Sequence, residues 1–175
     1  VMLSGETAVG KYPLEAISCM HRIAVETETH LEQSGVSLGD WFNRPSEELD
    51  DPVTLAACEL ASEVCAAAIV VPTLTGRLAK LVVRHRPWAR VVAVAPIDLI
   101  LQELALVWGV IPVRMTPTPP GGDRLTTAVR DAFLAGTVHP GERIIVLAGH
   151  PIEGGPRFPT VHIVRVGEGG TSVEP

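Results

Sequence analysis

Two short stretches of this sequence carry residues with the means to hold a phosphate. The first, SGETAVGKY over residues 4–12, sets Gly5, Gly10 and Lys11 in the G-x-x-x-x-G-K spacing of a nucleotide-binding loop. In such a loop backbone amides cradle the phosphates and the lysine balances their charge. A nucleotide loop, however, runs straight from its lysine into a helix whose first hydroxyl holds magnesium, and here Tyr12 and Pro13 follow Lys11. The tyrosine removes that hydroxyl, and Pro13 disfavours helical geometry at Tyr12, so a helix is expected to start only after the lysine. The glycine and lysine match is therefore read as chance. The second stretch, VVPTLTGRLAK over residues 70–80, places Thr73, Thr75 and Arg77 around Gly76, between an apolar strand ending at Val71 and a helix opening near Gly76. Amides at a helix N-terminus, two hydroxyl donors and a guanidinium are the parts of an anion site. The same residues also allow a plainer role, in which Thr73 and Thr75 only cap the helix.

The elements that must position these groups follow from periodicity. Pro13 suits the first turn of a helix over residues 14–29, with apolar residues at Leu14, Ile17, Cys19, Met20, Ile23 and Ala24. From 30 to 52 the pattern dissolves into glycine, proline and an acidic run, a solvated connection whose Trp41 and Phe42 are expected to dock onto the fold. Thr54 is expected to cap a helix running to about residue 67. Short apolar runs then alternate with amphipathic segments: strands at 68–71, 91–95, 110–113 and 144–148, and helices at 76–86, 97–108 and 125–135. Runs such as Val91-Val92-Ala93-Val94-Ala95 are apolar at every position, as expected of parallel strands covered on both faces. A last strand at 161–166 is reached through a loop without a helix, which favours antiparallel pairing at an edge. The reading is a three-layer α/β/α domain on a mostly parallel five-stranded sheet with an antiparallel edge strand. Ligands bind such open sheets at the carboxyl ends of the strands.

Composition narrows the classes of function. The 175 residues are 46% apolar and only 4% aromatic, which favours a folded core and offers few rings for base stacking. A net charge of -6 supplies no counterion-release term for a polyanion, so no nucleic-acid partner is expected. Cys19, Cys58 and Cys65 lack the paired spacing of a zinc site and fit reduced thiols in a cytoplasmic protein, with Cys58 and Cys65 read as core residues on one helix face. His21, His30, His85, His139 and His162 show no ligand spacing and are assigned to surface or packing, and no metal site is expected. Arg84, His85, Arg86 and Arg90 form a basic cluster expected to complement a helix dipole. No apolar run reaches the ~18 residues of a membrane span, no signal peptide is evident, and no membrane partner is expected. The chain opens on Val1-Met2-Leu3, a buried-strand pattern read as a truncated start.

The stretch VMLSGETAVGKYPLEAISCMHRI resembles the last strand and last helix of the pyruvate kinase barrel. The segments ASEVCAAAIVVPTLTGRLAKLVVRHRPWARVVAVAP, LALVWGVIPV and GERIIVLAGHP resemble that family's C-terminal regulatory domain. The resemblance divides the chain into a barrel remnant at 1–22, a helix end and linker at 23–52, and the regulatory domain at 53–175. It implies an enzyme that moves the phosphoryl group of phosphoenolpyruvate to ADP with magnesium and potassium, as a homotetramer. The ligands of both cations and the lid would lie upstream of Val1, so this chain is expected to carry no cofactor and no activity by itself.

Residue by residue, the resemblance places Ser4 and Glu6 at the rim of the catalytic site, in or beside its proton-transfer chain; alternatively Ser4, Glu6 and Thr7 cap the following helix. It assigns Thr73, Thr75, Gly76 and Arg77 to a loop that holds a phosphate of an activating sugar phosphate or nucleotide, with Leu78 in place of that loop's last hydroxyl. Arg124 falls near the family's arginine for a second phosphate. Gly149, His150, Gly154 and Gly155 fall in its effector loop, here without the usual Thr-Asn run. That departure argues against a fructose bisphosphate site and leaves open a monophosphate such as ribose 5-phosphate, glucose 6-phosphate or AMP. Two other readings stand beside this one: an independent phosphometabolite-binding module, and an assembly domain with no ligand.

Overall fold

The computed structural model describes residues 1–34, 50–118, 122–148 and 159–173, and the chain divides into two units, Val1–Trp41 and Phe42–Pro175. In the first unit, α1 (Gly5–Ala8) is a single turn and α2 (Pro13–Gln33) a long helix. Gly10 stands between them because a Cβ there would collide with the Glu6 carbonyl, a backbone reason for the glycine that involves no phosphate. Proline opens α2, as the sequence predicts. The helix runs past residue 29 to Gln33, and within it Thr27 and Thr29 donate their hydroxyls to the carbonyls of Ile23 and Val25, 2.7 and 2.9 Å away. The expected docking of Trp41 and Phe42 lies outside the described residues.

The second unit begins with α3 (Asp50–Glu63). Thr54 does not cap it: Asp50, Asp51 and Pro52 are favoured in a first helical turn, so the helix starts before Thr54. Thr54 is instead fully buried, with Oγ1 3.2 Å from His85 Nε2. The helix also stops before residue 67. Cys65 takes a left-handed φ of 50°, its amide donates to the Ser62 carbonyl, and the Ala66 amide donates to the Ala61 carbonyl. This is a Schellman end with cysteine where glycine is usual. Cys65 is consequently exposed rather than in the core, whereas Cys58 is buried, with its thiol pushed up to about 12 by that burial and by nearby Glu59.

The chain then alternates β1 (Ala68–Pro72), α4 (Arg77–Arg84), β2 (Arg90–Ala95), α5 (Asp98–Ala105), β3 (Val110–Arg114), α6 (Arg124–Leu134) and β4 (Arg143–Ala148). It closes with β5 (Thr160–Val166), a 3-10 turn (Glu168–Gly170) and β6 (Ser172–Val173). The sheet order is β3-β2-β1-β4-β5-β6. The first four strands are parallel, and β5 is antiparallel to β4, with Ile145 opposite Ile163. The five strands expected from sequence are present; the two-residue β6, too short to carry a pattern, adds to the outer side of β5.

Alternation along the parallel strands separates two apolar layers. Ile69, Val71, Val91, Ala93, Ile145 and Leu147 face α3, α4 and Leu104 of α5. Ala68, Val70, Val92, Val94, Ile144 and Val146 face Ala128, Val129 and Ala132 of α6. Each fully buried aliphatic side chain contributes about 1.5–3 kcal/mol. Exposed ion pairs such as Lys80–Glu103, at 3.4 Å, are worth about 0–1 kcal/mol. The two-sided core therefore decides the architecture, and the ion pairs trim it.

Candidate functional site

The strand order reverses between β1 and β4. From β1 the chain moves outward through β2 to β3, then crosses under α6 to reach β4 on the other side. In open α/β sheets the crevice at such a reversal, beyond the carboxyl ends of the strands, is where ligands bind. The turn leaving β1 at this point is the one that carries Thr73, Thr75, Gly76 and Arg77.

The turn is fixed at its root by the Thr73 amide, which donates to the Val94 carbonyl of β2 at 2.9 Å. Gly76 then takes φ +73°, a left-handed conformation at the N-cap of α4. A side chain there would also press on Leu104, 3.0 Å from an added Cβ, so two independent constraints select glycine. The Gly76 amide donates to Thr73 Oγ1 at 2.9 Å, and the Arg77 amide makes a long contact of 3.5 Å to Thr75 Oγ1. The threonines thus do part of the capping that the plainer reading of this loop gives them. Among the described residues no acceptor takes the first-turn amides of Leu78 and Ala79. Thr75 and Arg77 are exposed, Thr73 is half-buried, and Leu78 is buried in the core, where a hydroxyl would have cost burial.

Arg124 is the first residue of α6, which covers the opposite face of the sheet from α4. Among the described residues no hydrogen bond or ion pair joins Arg124 to the turn. The N-terminus of α6 is already occupied: Asp123 accepts from the amides of Leu125 and Thr126, each at 3.1 Å, and from the Thr126 hydroxyl at 2.8 Å. Partial burial pushes the Asp123 carboxyl up, but these bonds, with a smaller contribution from His162, outweigh it and hold the group below the ordinary aspartate value. Of these two helix starts, that of α6 is closed by a carboxylate, whereas at α4 the buried first-turn amides of Leu78 and Ala79 meet no acceptor among the described residues.

Gly149, His150, Gly154 and Gly155 lie outside the described residues. Ser4 and Glu6 belong to the first unit. Both are exposed; Ser4 sits at the N-cap of α1 without a side-chain capping bond, so of the expected caps only the Thr7 hydroxyl acts, on the Ser4 carbonyl at 3.0 Å. Among the described residues no group of three or more His, Cys, Asp or Glu side chains could hold a metal ion. No described helix is long and apolar enough to cross a membrane.

The basic cluster at 84–90 disperses. His85 is buried against Thr54; the Arg86 guanidinium stacks 3.7 Å over the Trp108 ring; Arg90 bonds the Ala67 carbonyl and Glu142. Only Arg84 lies in the last turn of α4. Two polar groupings near the carboxyl ends of the strands escape the sequence reading. Arg114 pairs with Asp98 and donates to the Pro96 carbonyl at 2.7 Å, and its hydrogen bond holds the Asp98 carboxyl below the usual carboxylate range. Asp131, buried within α6, holds Thr116 just beyond β3. Its position three residues after Ala128, on a helix face otherwise apolar, was the available signal.

Comparison with known proteins gives one consistent result. A family model described as "Pyruvate kinase, alpha/beta domain" matches residues 51–164. The pyruvate kinase of Geobacillus stearothermophilus is 34% identical over 166 residues, covering 94% of this chain and 28% of that protein. The pyruvate kinase of Clostridium acetobutylicum is 35% identical over 151 residues, covering 86% of this chain and 32% of that protein. That of Staphylococcus haemolyticus is 36% identical over 151 residues, with coverages of 86% and 26%. The chain therefore spans less than a third of the length of these curated relatives.

Proposed function

This chain belongs to the pyruvate kinase family, and we propose that it is the C-terminal part of such an enzyme, whose own task is to bind a phosphorylated effector rather than to transfer a phosphoryl group. The observation that carries the reading is the turn after β1: a glycine-set helix start with two hydroxyls, an arginine and first-turn amides that meet no acceptor among the described residues, at the reversal of strand order. Thr73 Oγ1 accepts the Gly76 amide and so keeps its own proton for a ligand oxygen. A phosphate above Gly76 would draw on that hydroxyl, on Thr75, on Arg77, on the Leu78 amide and on the positive end of α4. The buried Leu78 leaves the site one hydroxyl short, which costs about 1–3 kcal/mol of phosphate affinity and favours a monophosphate. Calorimetric titration with ribose 5-phosphate, glucose 6-phosphate and AMP is expected to give binding that Thr75→Ala with Arg77→Ala abolishes. Binding that survives the double substitution would remove the site from this turn, and no binding to the wild-type chain would favour the assembly-domain reading.

Phosphoryl transfer is assigned to parts of the enzyme other than this chain. Its barrier is lowered by positioned cations and phosphate-clamping groups, and we place the magnesium and potassium sites with them. Ser4 and Glu6, at the end of a barrel remnant over residues 1–22, contribute one edge of the catalytic site only when the rest is present. The exposed apolar residues of α2, among them Leu14 and Ile17, fit a helix that is covered by further barrel elements in the whole enzyme. A coupled pyruvate-release assay on this chain alone is expected to show no turnover above background at saturating substrate; turnover would overturn the assignment. Assembly with a second copy is proposed through β5, whose outer edge pairs with β6 at Arg165 and Val166 among the described residues.

A further inference from the structure

We propose that Arg143 and Arg165 together form an anion site for a phosphoryl group, at the amino end of the sheet and independent of the turn after β1. Arg143 opens β4 and stands directly opposite Arg165 of the antiparallel β5. Residues two apart along a strand share a face. Arg143 therefore lies on the face of Ile145 and Leu147, and Arg165 on that of Ile163 and Val161, the α3 side of the sheet. The Val166 amide donates to the Glu142 carbonyl at 2.9 Å, so the next pair along, Arg143 with Arg165, is a non-hydrogen-bonded one. At such a pair the Cα atoms approach to about 4.5 Å and the side chains stand closest. The backbone beneath them is held on both sides: the Gly141 amide donates to the Val166 carbonyl at 2.7 Å, and the Ala67 amide to the Arg143 carbonyl at 2.8 Å.

Two guanidiniums so placed stay charged at every working pH, and like charges directly opposite each other destabilise a sheet. A chain of net charge -6 has carboxylates to spare, yet among the described residues none pairs with either arginine. Glu142, adjacent in sequence, falls on the other face by alternation, and both its oxygens are committed. Oε1 accepts from Arg90 Nη2 at 3.1 Å, and Oε2 from the His139 amide at 2.8 Å. Glu63, at the end of α3, and Glu168, in the 3-10 turn after β5, are exposed and pair with neither arginine. Arg143 and Arg165 are themselves exposed, so a solute reaches them without opening the core. Guanidinium chemistry selects that solute: one planar fork fills one carboxylate, whereas a phosphoryl group offers oxygens to two forks at once. A lone phosphate and the phosphate chain of a nucleotide share this chemistry.

Titration of the 175-residue chain with inorganic phosphate, against sodium chloride at matched ionic strength, tests the site through the side-chain Nε–Hε NMR signals of its arginines. Saturable shifts at Arg143 and Arg165 are expected with phosphate and not with chloride. Arg143→Gln and Arg165→Gln are each expected to weaken this binding about tenfold, the loss of one charge-assisted fork, while Thr75→Ala with Arg77→Ala leaves it in place. Equal shifts with chloride would reduce the pair to screened surface charge and overturn the proposal, as would unchanged affinity in either arginine variant. Loss of the shifts in the Thr75 and Arg77 double variant would assign the signal to the turn after β1 and overturn it too. Shifts that persist in a chain with no binding at that turn support this site and count only against the effector reading. A second readout needs no ligand. At low ionic strength Arg165→Gln should unfold at the same or a higher urea concentration than the wild type, because it removes a repulsion. A clear loss of stability would show that a structural contact holds Arg165, and would overturn the proposal. Tripolyphosphate is expected to compete for the same signals; distinctly tighter binding than phosphate assigns the site to a phosphate chain, and comparable binding to a lone phosphoryl group.

Discussion

Single side chains decide how two helix starts at the carboxyl edge of the sheet are capped. Asp123 and the Thr73–Gly76 pair solve the same problem, unmet amides at a helix start, by opposite means: a carboxylate that fills the site and a hydroxyl that leaves room. The account predicts that Asp123→Ala lowers the stability of the domain by about 1 kcal/mol at neutral pH, the usual worth of an N-cap, measured by urea unfolding. Because the folded state holds the Asp123 carboxyl below its unfolded value, this contribution is fully present above the ordinary aspartate pKa of ~3.9 and is lost as the pH falls below it. The gap between wild type and Asp123→Ala should therefore close in acid. A gap that stays constant down to pH 3 would show that the carboxylate is not what caps α6. At this scale the sequence was informative for Thr73, Thr75, Gly76 and Arg77, because short-range chemistry lies in adjacent residues. For Asp131 it offers a carboxylate on an apolar helix face but not the partner, and it is silent on the Arg114–Asp98 pair, because these partners lie fifteen and sixteen residues apart and meet only through the fold.

Between residues and fold, the helix ends show where local preference was followed and where it was overridden. The end of α6 uses Gly136 at φ +70° in a Schellman turn, as local chemistry favours, whereas the end of α3 places Cys65 and the end of α4 places Arg86 in the same left-handed region. Nothing in the residue types marks Cys65 or Arg86 as helix stops, so local preference alone predicts both helices longer than they are. The start of α3 departs from expectation for a different reason: Thr54 is a good cap by type, but burial against His85 outweighs that preference. Gly76 and Gly136 make a controlled pair for testing how much of the turn after β1 is set by shape. Both are left-handed, but an added Cβ meets Leu104 at 3.0 Å in the first and nothing within 4 Å in the second. Gly136→Ala should cost about 1 kcal/mol, the backbone penalty alone, and Gly76→Ala distinctly more, by thermal or urea unfolding. Equal losses would mean that the α4–α5 contact does not shape the turn.

For the whole molecule, the parallel sheet was legible because four strands buried on both faces leave uninterrupted apolar runs, and the alternating helices leave a 3.6-residue period between them. Strand order was not legible from those patterns, since nothing in β1 or β4 alone states that they are neighbours. That adjacency is what turns a capped helix start into a candidate binding crevice, and it comes from the path of α6 over the sheet. The central claim is that an anionic metabolite sits on the open first turn of α4. The most direct measurement is a two-dimensional amide NMR titration of the 175-residue chain with ribose 5-phosphate, inorganic phosphate serving as the comparison. The account predicts saturable shifts centred on the amides of Gly76, Arg77, Leu78 and Ala79, with the capped amides of Leu125 and Thr126 moving far less. Shifts centred on Leu125 and Thr126, or none at Leu78 and Ala79 at saturating ligand, would contradict it.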